Sequence, residues 1–207
     1  MHQDGPTELI TYLPAAAHPE GTVVVLLHGT GGDETSLLPF ARHVAPASPL
    51  LACRGTVAIE GGYAFFRRHP DRRIDEADLR ARVSPLALSL ARALHANQVT
   101  EKPVVIGYSN GAIMAAALLQ LRPDLLSGAV LLRALSPYAE QPERTEPTPP
   151  VLIVDGAHDD RRAPGDGHRM AATLDRAGSV VSHHVLPVGH ALTDDDANLV
   201  RDWLAHH

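Results

Sequence analysis

Five short apolar runs punctuate the chain: Val23–Leu27, Val57–Ile59, Pro103–Ile106, Ala129–Leu132 and Val151–Val154. Several are continuous rather than alternating, which is the pattern of strands covered on both faces. A sixth run, Val180–Leu186, is more polar and is expected nearer a sheet edge. Between the runs lie helical patterns. In Asp75–Ala96, Leu79, Val83, Leu86, Leu90 and Leu94 recur three and four residues apart. Asn110–Leu121 is small and apolar almost all round, so it is expected to be deeply buried. Gly167–Ala177 and Asp194–His206 are amphipathic, the latter opening on Thr193 and three acids that suit a helix start. Strands alternating with helices predict an α/β fold: a mainly parallel central sheet with helices on both faces. The proline-rich stretch Ser136–Pro150 is read as a long loop within a single domain spanning residues 1–207.

Composition narrows the function. Eighteen basic against twenty-four acidic residues give a net charge of −6. That balance, with no basic run, argues against a nucleic-acid or membrane-surface partner. No apolar run approaches the ~20 residues of a membrane-spanning helix. Met1–Pro6 lacks the basic start and apolar core of a secretory signal, which predicts a cytoplasmic protein. The single cysteine, Cys53, excludes an internal disulfide framework and is expected in a buried apolar role. Thirteen histidines raise the question of a metal site, but none shows a recognised ligand spacing, and no metal is expected.

The chemistry concentrates at Gly107-Tyr108-Ser109-Asn110-Gly111, which follows the Pro103–Ile106 run and opens a helical pattern. This is the context of a nucleophile elbow, in which a serine sits on a tight strand-to-helix turn with glycines two residues to either side. A serine hydroxyl needs a base, and in this arrangement an acid and then a histidine follow it in the chain. After Val151–Val154 come Asp155, Asp159 and Asp160; after Val180–Leu186 comes His190. Both groups lie in loops just past the carboxyl ends of strands, where open α/β sheets place their sites. Ser109 is thus the candidate nucleophile and His190 the candidate base. Reach favours Asp159 or Asp160 over Asp155, and spacing does not choose between them. His158, His168, His183 and His184 compete with His190; His183 and His184 face opposite ways in a strand, so one is expected in solvent. The backbone amides of Asn110 and Thr30 are the candidate oxyanion donors, the latter in the glycine-rich His28-Gly29-Thr30-Gly31-Gly32 loop.

These motifs, with Phe65-Phe66-Arg67-Arg68, Ile74–Leu79, Pro123–Arg133 and Gly189-His190, resemble the small carboxylesterase/phospholipase-type α/β hydrolases. These are relatives of the acyl-protein thioesterases, and the match is to a bacterial branch that includes catechol- and quinone-responsive hydrolases. The resemblance runs from about Leu26 to Trp203 and implies an α/β-hydrolase fold with a minimal lid. It makes Asp159 the acid, although Asp160 stands where the family has proline, and Ala64 where it tends to have arginine. It implies a serine hydrolase that cleaves small carboxylic esters through an acyl-enzyme, without a cofactor. The alternatives are an acyl thioesterase or a non-catalytic ligand-binding protein of this fold. Tyr108, Phe65, Phe66 and Arg133 are candidate substrate contacts. Arg67 and Arg68 are read as partners of the acids at Asp75–Asp78, with an anionic substrate as the alternative. An exposed apolar patch would support a homodimer.

Overall fold

The computed structural model describes residues 9–15, 21–140 and 149–207. Fourteen strands and helices follow in chain order. They are β1 (Leu9–Leu13), β2 (Val24–Leu27), α1 (Leu38–Val44), β3 (Leu50–Arg54), β4 (Val57–Ile59), β5 (Gly62–Ala64) and α2 (Glu76–Ala96). Then come β6 (Val104–Tyr108), α3 (Asn110–Leu121), β7 (Gly128–Leu132), β8 (Val151–Gly156), α4 (Asp166–Arg176), β9 (Val181–Leu186) and α5 (Asp194–Leu204). Seven strands form one sheet in the order β1-β3-β2-β6-β7-β8-β9. Only β1 runs antiparallel to its neighbour; the other pairings are parallel.

The continuous apolar runs are explained by burial on both faces. On β2, Val25 and Leu27 join the core under α2, α3 and α4, while Val24 and Leu26 join the core under α1 and α5. The same alternation divides Val105 from Ile106 and Ile153 from Val154. α3 is buried on nearly every residue, as its small apolar composition predicts. β9 is the sheet edge, with Val185 about half exposed and His184 in solvent. α2 runs through Pro85, its apolar stripe from Leu79 to Leu94 packed throughout. Among the described residues, no helix is long and apolar enough to cross a membrane.

The fold departs from the sequence reading in three places. Val57–Ile59 is not a strand of the main sheet: it pairs antiparallel with β5 in a two-stranded hairpin, with Ala58 and Ile59 exposed. The sheet position beside β2 belongs to β3, whose Ala52 and Cys53 carry too little apolar bulk to stand out in the sequence. β1 and the short α1 are also additional. Residues 141–148 of the expected loop lie outside the described residues.

Candidate active site

The elbow sits where β6 ends in the middle of the sheet. Ser109 adopts φ 54 and ψ −108, a left-handed backbone that its neighbours enforce. Its N–H donates to Leu132 O at 2.9 Å, tying the turn to the end of β7. A side chain at Gly111 would bring Cβ within 2.0 Å of Leu27 O, and one at Gly107 within 2.6 Å of Ala112 Cα. Both glycines are therefore demanded by backbone crossing at the turn.

Two other strand ends deliver side chains to Ser109. Ser109 Oγ lies 3.0 Å from His190 Nε2, and His190 Nδ1 lies 2.7 Å from Asp159 Oδ2. The carboxylate accepts only, so Nδ1 carries the hydrogen and Nε2 accepts from the hydroxyl. The Asp159 side chain is fully buried, and its other oxygen accepts from Arg161 N–H at 2.9 Å. The remaining aspartates are committed elsewhere or exposed. Asp155 pairs with His183 at 2.7 Å, and Asp160 faces solvent. Burial holds the His190 imidazole below its usual 6.5, and Arg162 and Arg161 add to that effect against the pull of Asp159.

On the other side of the turn, His28 shapes the glycine-rich loop. Its Nε2 accepts from Gly55 N–H at 3.0 Å, so Nδ1 must donate to Gly29 O at 2.7 Å. Burial lowers its pKa and keeps it in that neutral form. The Thr30 and Asn110 amides are engaged by no acceptor among the described residues. The Asn110 side chain accepts from Phe65 N–H at 2.7 Å and fastens the segment after β5 to the elbow.

The four candidate substrate contacts divide. Phe65 is buried, 3% exposed, and it borders a cleft of about 440 Å³ with Thr56, Arg82, Leu86 and Met114 that none of Ser109, His190 and Asp159 lines. Tyr108 donates to His190 O at 3.1 Å, and its ring packs on the imidazole at 5.3 Å. Phe66 and Arg133 must be corrected. Phe66 is 1% exposed in the core, and Arg133 is wholly buried with every donor used inside the protein. Neither presents a surface to a substrate. Arg67 does meet Asp78, through its N–H at 2.8 Å. Arg68 does not pair with those acids: its guanidinium lies over the Phe66 ring and donates to Arg72 O at 2.7 Å.

One residue at the site has no signal in the sequence. Arg162 Nη2 lies 3.2 Å from Ser109 Oγ, while its Nε donates to Arg133 O at 2.7 Å and its Nη1 to Arg161 O at 3.0 Å. Burial pushes its pKa down to about 10, so it stays charged at neutral pH. It follows Asp159 in an irregular loop, and only the folded loop turns it back onto the serine.

With hydroxyl, imidazole and carboxylate in line, the Asn110 amide next in the chain and Gly29 of the glycine-rich loop close enough that a Cβ there would lie 3.5 Å from Ser109 Cβ, the arrangement is chemically competent for acyl transfer. Among the described residues, no cluster of three or more histidine, cysteine or acidic side chains is arranged to hold a metal.

No family model matches the chain. It is 35% identical over 184 residues to "Putative hydrolase MhqD" of Bacillus subtilis, across 87% of this chain and 91% of that one. The Bacillus cereus carboxylesterase superimposes with a TM-score of 0.90 at 31% identity, covering 99% of this chain and 96% of that one. The Mesorhizobium loti carboxylesterase gives 0.85 at 33% identity, covering 90% and 89%.

Proposed function

We propose that this chain, which belongs to the carboxylesterase-type α/β hydrolases, is a serine esterase that turns over small carboxylic esters through an acyl-enzyme. The observation that carries the reading is the unbroken hydrogen-bond line from Ser109 Oγ through His190 to Asp159.

Ser109 Oγ attacks the ester carbonyl carbon while its proton passes to His190 Nε2. The imidazolium is held by Asp159, whose buried carboxylate fixes the tautomer beforehand. The carbonyl oxygen becomes an oxyanion between the Thr30 and Asn110 amides; such donors contribute on the order of 10²–10³ in rate each. The carbon–oxygen bond to the alcohol breaks, and His190 Nε2 gives its proton to the departing alkoxide. Water then attacks the Ser109 acyl ester, His190 again takes and returns the proton, and the carboxylic acid leaves. The seven-stranded sheet supplies all three groups from β6, β8 and β9, which supports reading residues 1–207 as one domain.

The test is intact-protein mass after a fluorophosphonate probe. The wild type should gain one adduct and hydrolyse a short-chain ester; Ser109→Ala should gain none and lose kcat by on the order of 10⁴-fold or more. A folded wild type that neither labels nor hydrolyses would refute the reading.

A further inference from the structure

The nucleophile of this acidic protein sits among cations. Arg162 touches Ser109 Oγ, Arg161 is next in the chain, and Arg68 is near enough that its charge opposes that of Arg162. Among the described residues, Arg162 and Arg68 form no ion pair. The acids close to Arg162 are already committed. Asp159 binds His190, and Asp166 binds Arg169 and accepts from Ala163 N–H. A guanidinium whose contacts are two carbonyls and one hydroxyl retains capacity for a charged acceptor, since it has five donors in a fork that matches a carboxylate. In a chain of net charge −6, a half-buried cation at Ser109 that forms no ion pair among the described residues is not explained by general solubility.

We infer that Arg162 is a specificity-determining residue that recognises an anionic group on the substrate, so that the preferred ester carries a carboxylate close to its scissile carbonyl. This rests on the esterase reading above and adds the substrate class. Geometry limits the spacing. A carboxylate oxygen accepting from Arg162 Nη2 at ~2.8 Å lies within about 6 Å of Ser109 Oγ. The attacked carbon lies ~3–3.5 Å from the same oxygen. A spacer of roughly one to three carbons, at ~1.5 Å per bond, fits between them. The carboxylate can stand on the acyl side, as in a half-ester of a short dicarboxylic acid, or on the alcohol side, as in an ester of a short hydroxy acid.

The experiment measures kcat/KM for two matched pairs. Monomethyl against dimethyl succinate tests the acyl side; acetoxyacetate against its methyl ester tests the alcohol side. The quantity read is the anionic-to-neutral ratio in Arg162→Gln relative to wild type, which cancels the intrinsic reactivity of the esters. At least one ratio should fall on the order of 10- to 100-fold, as expected for losing a charge-assisted contact, and Arg162→Lys should restore part of it. Succinate should also inhibit wild-type hydrolysis of the neutral ester competitively, and succinamide should not; this arm decides the matter if the variant fails to fold. A wild type that labels with fluorophosphonate and hydrolyses neutral esters, yet shows neither a ratio change nor succinate inhibition, overturns the anion inference alone. No label and no hydrolysis of any ester overturns both readings.

Discussion

Replacing Arg133 by methionine should damage stability and chemistry together, through one identifiable set of bonds. Arg133 and Asp196 side chains are both fully buried, and the guanidinium grips the carboxylate at 2.7 and 2.9 Å. Its other bonds go to Gly189 O at 3.0 Å, Ala191 O at 3.2 Å and Val154 O at 3.2 Å. Two of those carbonyls flank His190, so the buried cation holds the His190 loop to the end of β7. Methionine keeps most of the volume but leaves Asp196 charged and uncompensated, retaining only its capping bonds from Thr193. Breaking a buried pair in this way costs about 3–5 kcal/mol. For a chain of 207 residues, at about 2–4 °C per kcal/mol, Tm should fall by roughly 6–20 °C. Released from two of its anchors, the His190 loop should also lose alignment with Ser109; a misplacement near 1 Å costs on the order of 10²-fold. The assay pairs calorimetric unfolding with ester kinetics below the variant's Tm, and kcat should fall far more than KM rises. The double variant Arg133→Met/Asp196→Leu should recover much of the stability, because no lone charge is left, without recovering kcat. A single variant that loses under about 1 kcal/mol, or one that is destabilised yet keeps full kcat, would refute the bracing argument.

The pH profile of kcat/KM should fall on the acid side as His190 protonates. Because burial and the nearby arginines hold its pKa below 6.5, the acid limb should lie below 6.5 and move upward in Arg162→Gln; a limb above 6.5 in the wild type would contradict the site's electrostatics. Gly111→Ala should destabilise by at least the ~1–3 kcal/mol of overpacking, since its Cβ would meet Leu27 O at 2.0 Å, whereas Gly31→Ala, with φ 84 and open space around it, should lose only about 1–2 kcal/mol, as chemical denaturation would show.

Much of this molecule could be read from its sequence because burial on two faces leaves a strong mark. β6, β7 and β8 are continuous apolar runs, and each lies in the middle of the sheet between neighbours on both sides. Where that mark weakens, the reading fails. β3 is buried from Leu50 to Cys53, much as β7 is throughout, but its Ala52 and Cys53 do not distinguish it from a loop. Val57–Ile59 has the β-branched ends of a strand, yet only Val57 is buried. At the site, Ser109 and His190 were legible from motif and chain order, because glycine is required on either side of the turn and loops after strands carry the partners. Reach sets Asp155 aside, but spacing does not choose between Asp159 and Asp160, since two neighbouring loop carboxylates differ only in where the folded loop aims them; only the family resemblance points to Asp159. His28 gave no sign that its two ring nitrogens would join Gly55 to Gly29.

Arg133 and Arg162 show why substrate contacts were the least legible part. Both are arginines following strands that end at the site, and sequence position alone made Arg133 the candidate. A strand end fixes where a backbone goes, but the charge of a long side chain goes where its partner stands. Arg133 has a carboxylate in reach behind the sheet, on Asp196, and turns inward to it. Arg162 has none to spare, because Asp159 is held by His190 and Asp166 by Arg169, and its free edge turns to Ser109. The two are also linked, since the Arg133 carbonyl accepts from Arg162 Nε. One buried residue after β7 thus steadies the His190 loop through its guanidinium and the Arg162 side chain through its carbonyl. Disturbing Arg133 should therefore shift anion preference as well as kcat, whereas disturbing Arg162 should leave the loop carrying His190 in place.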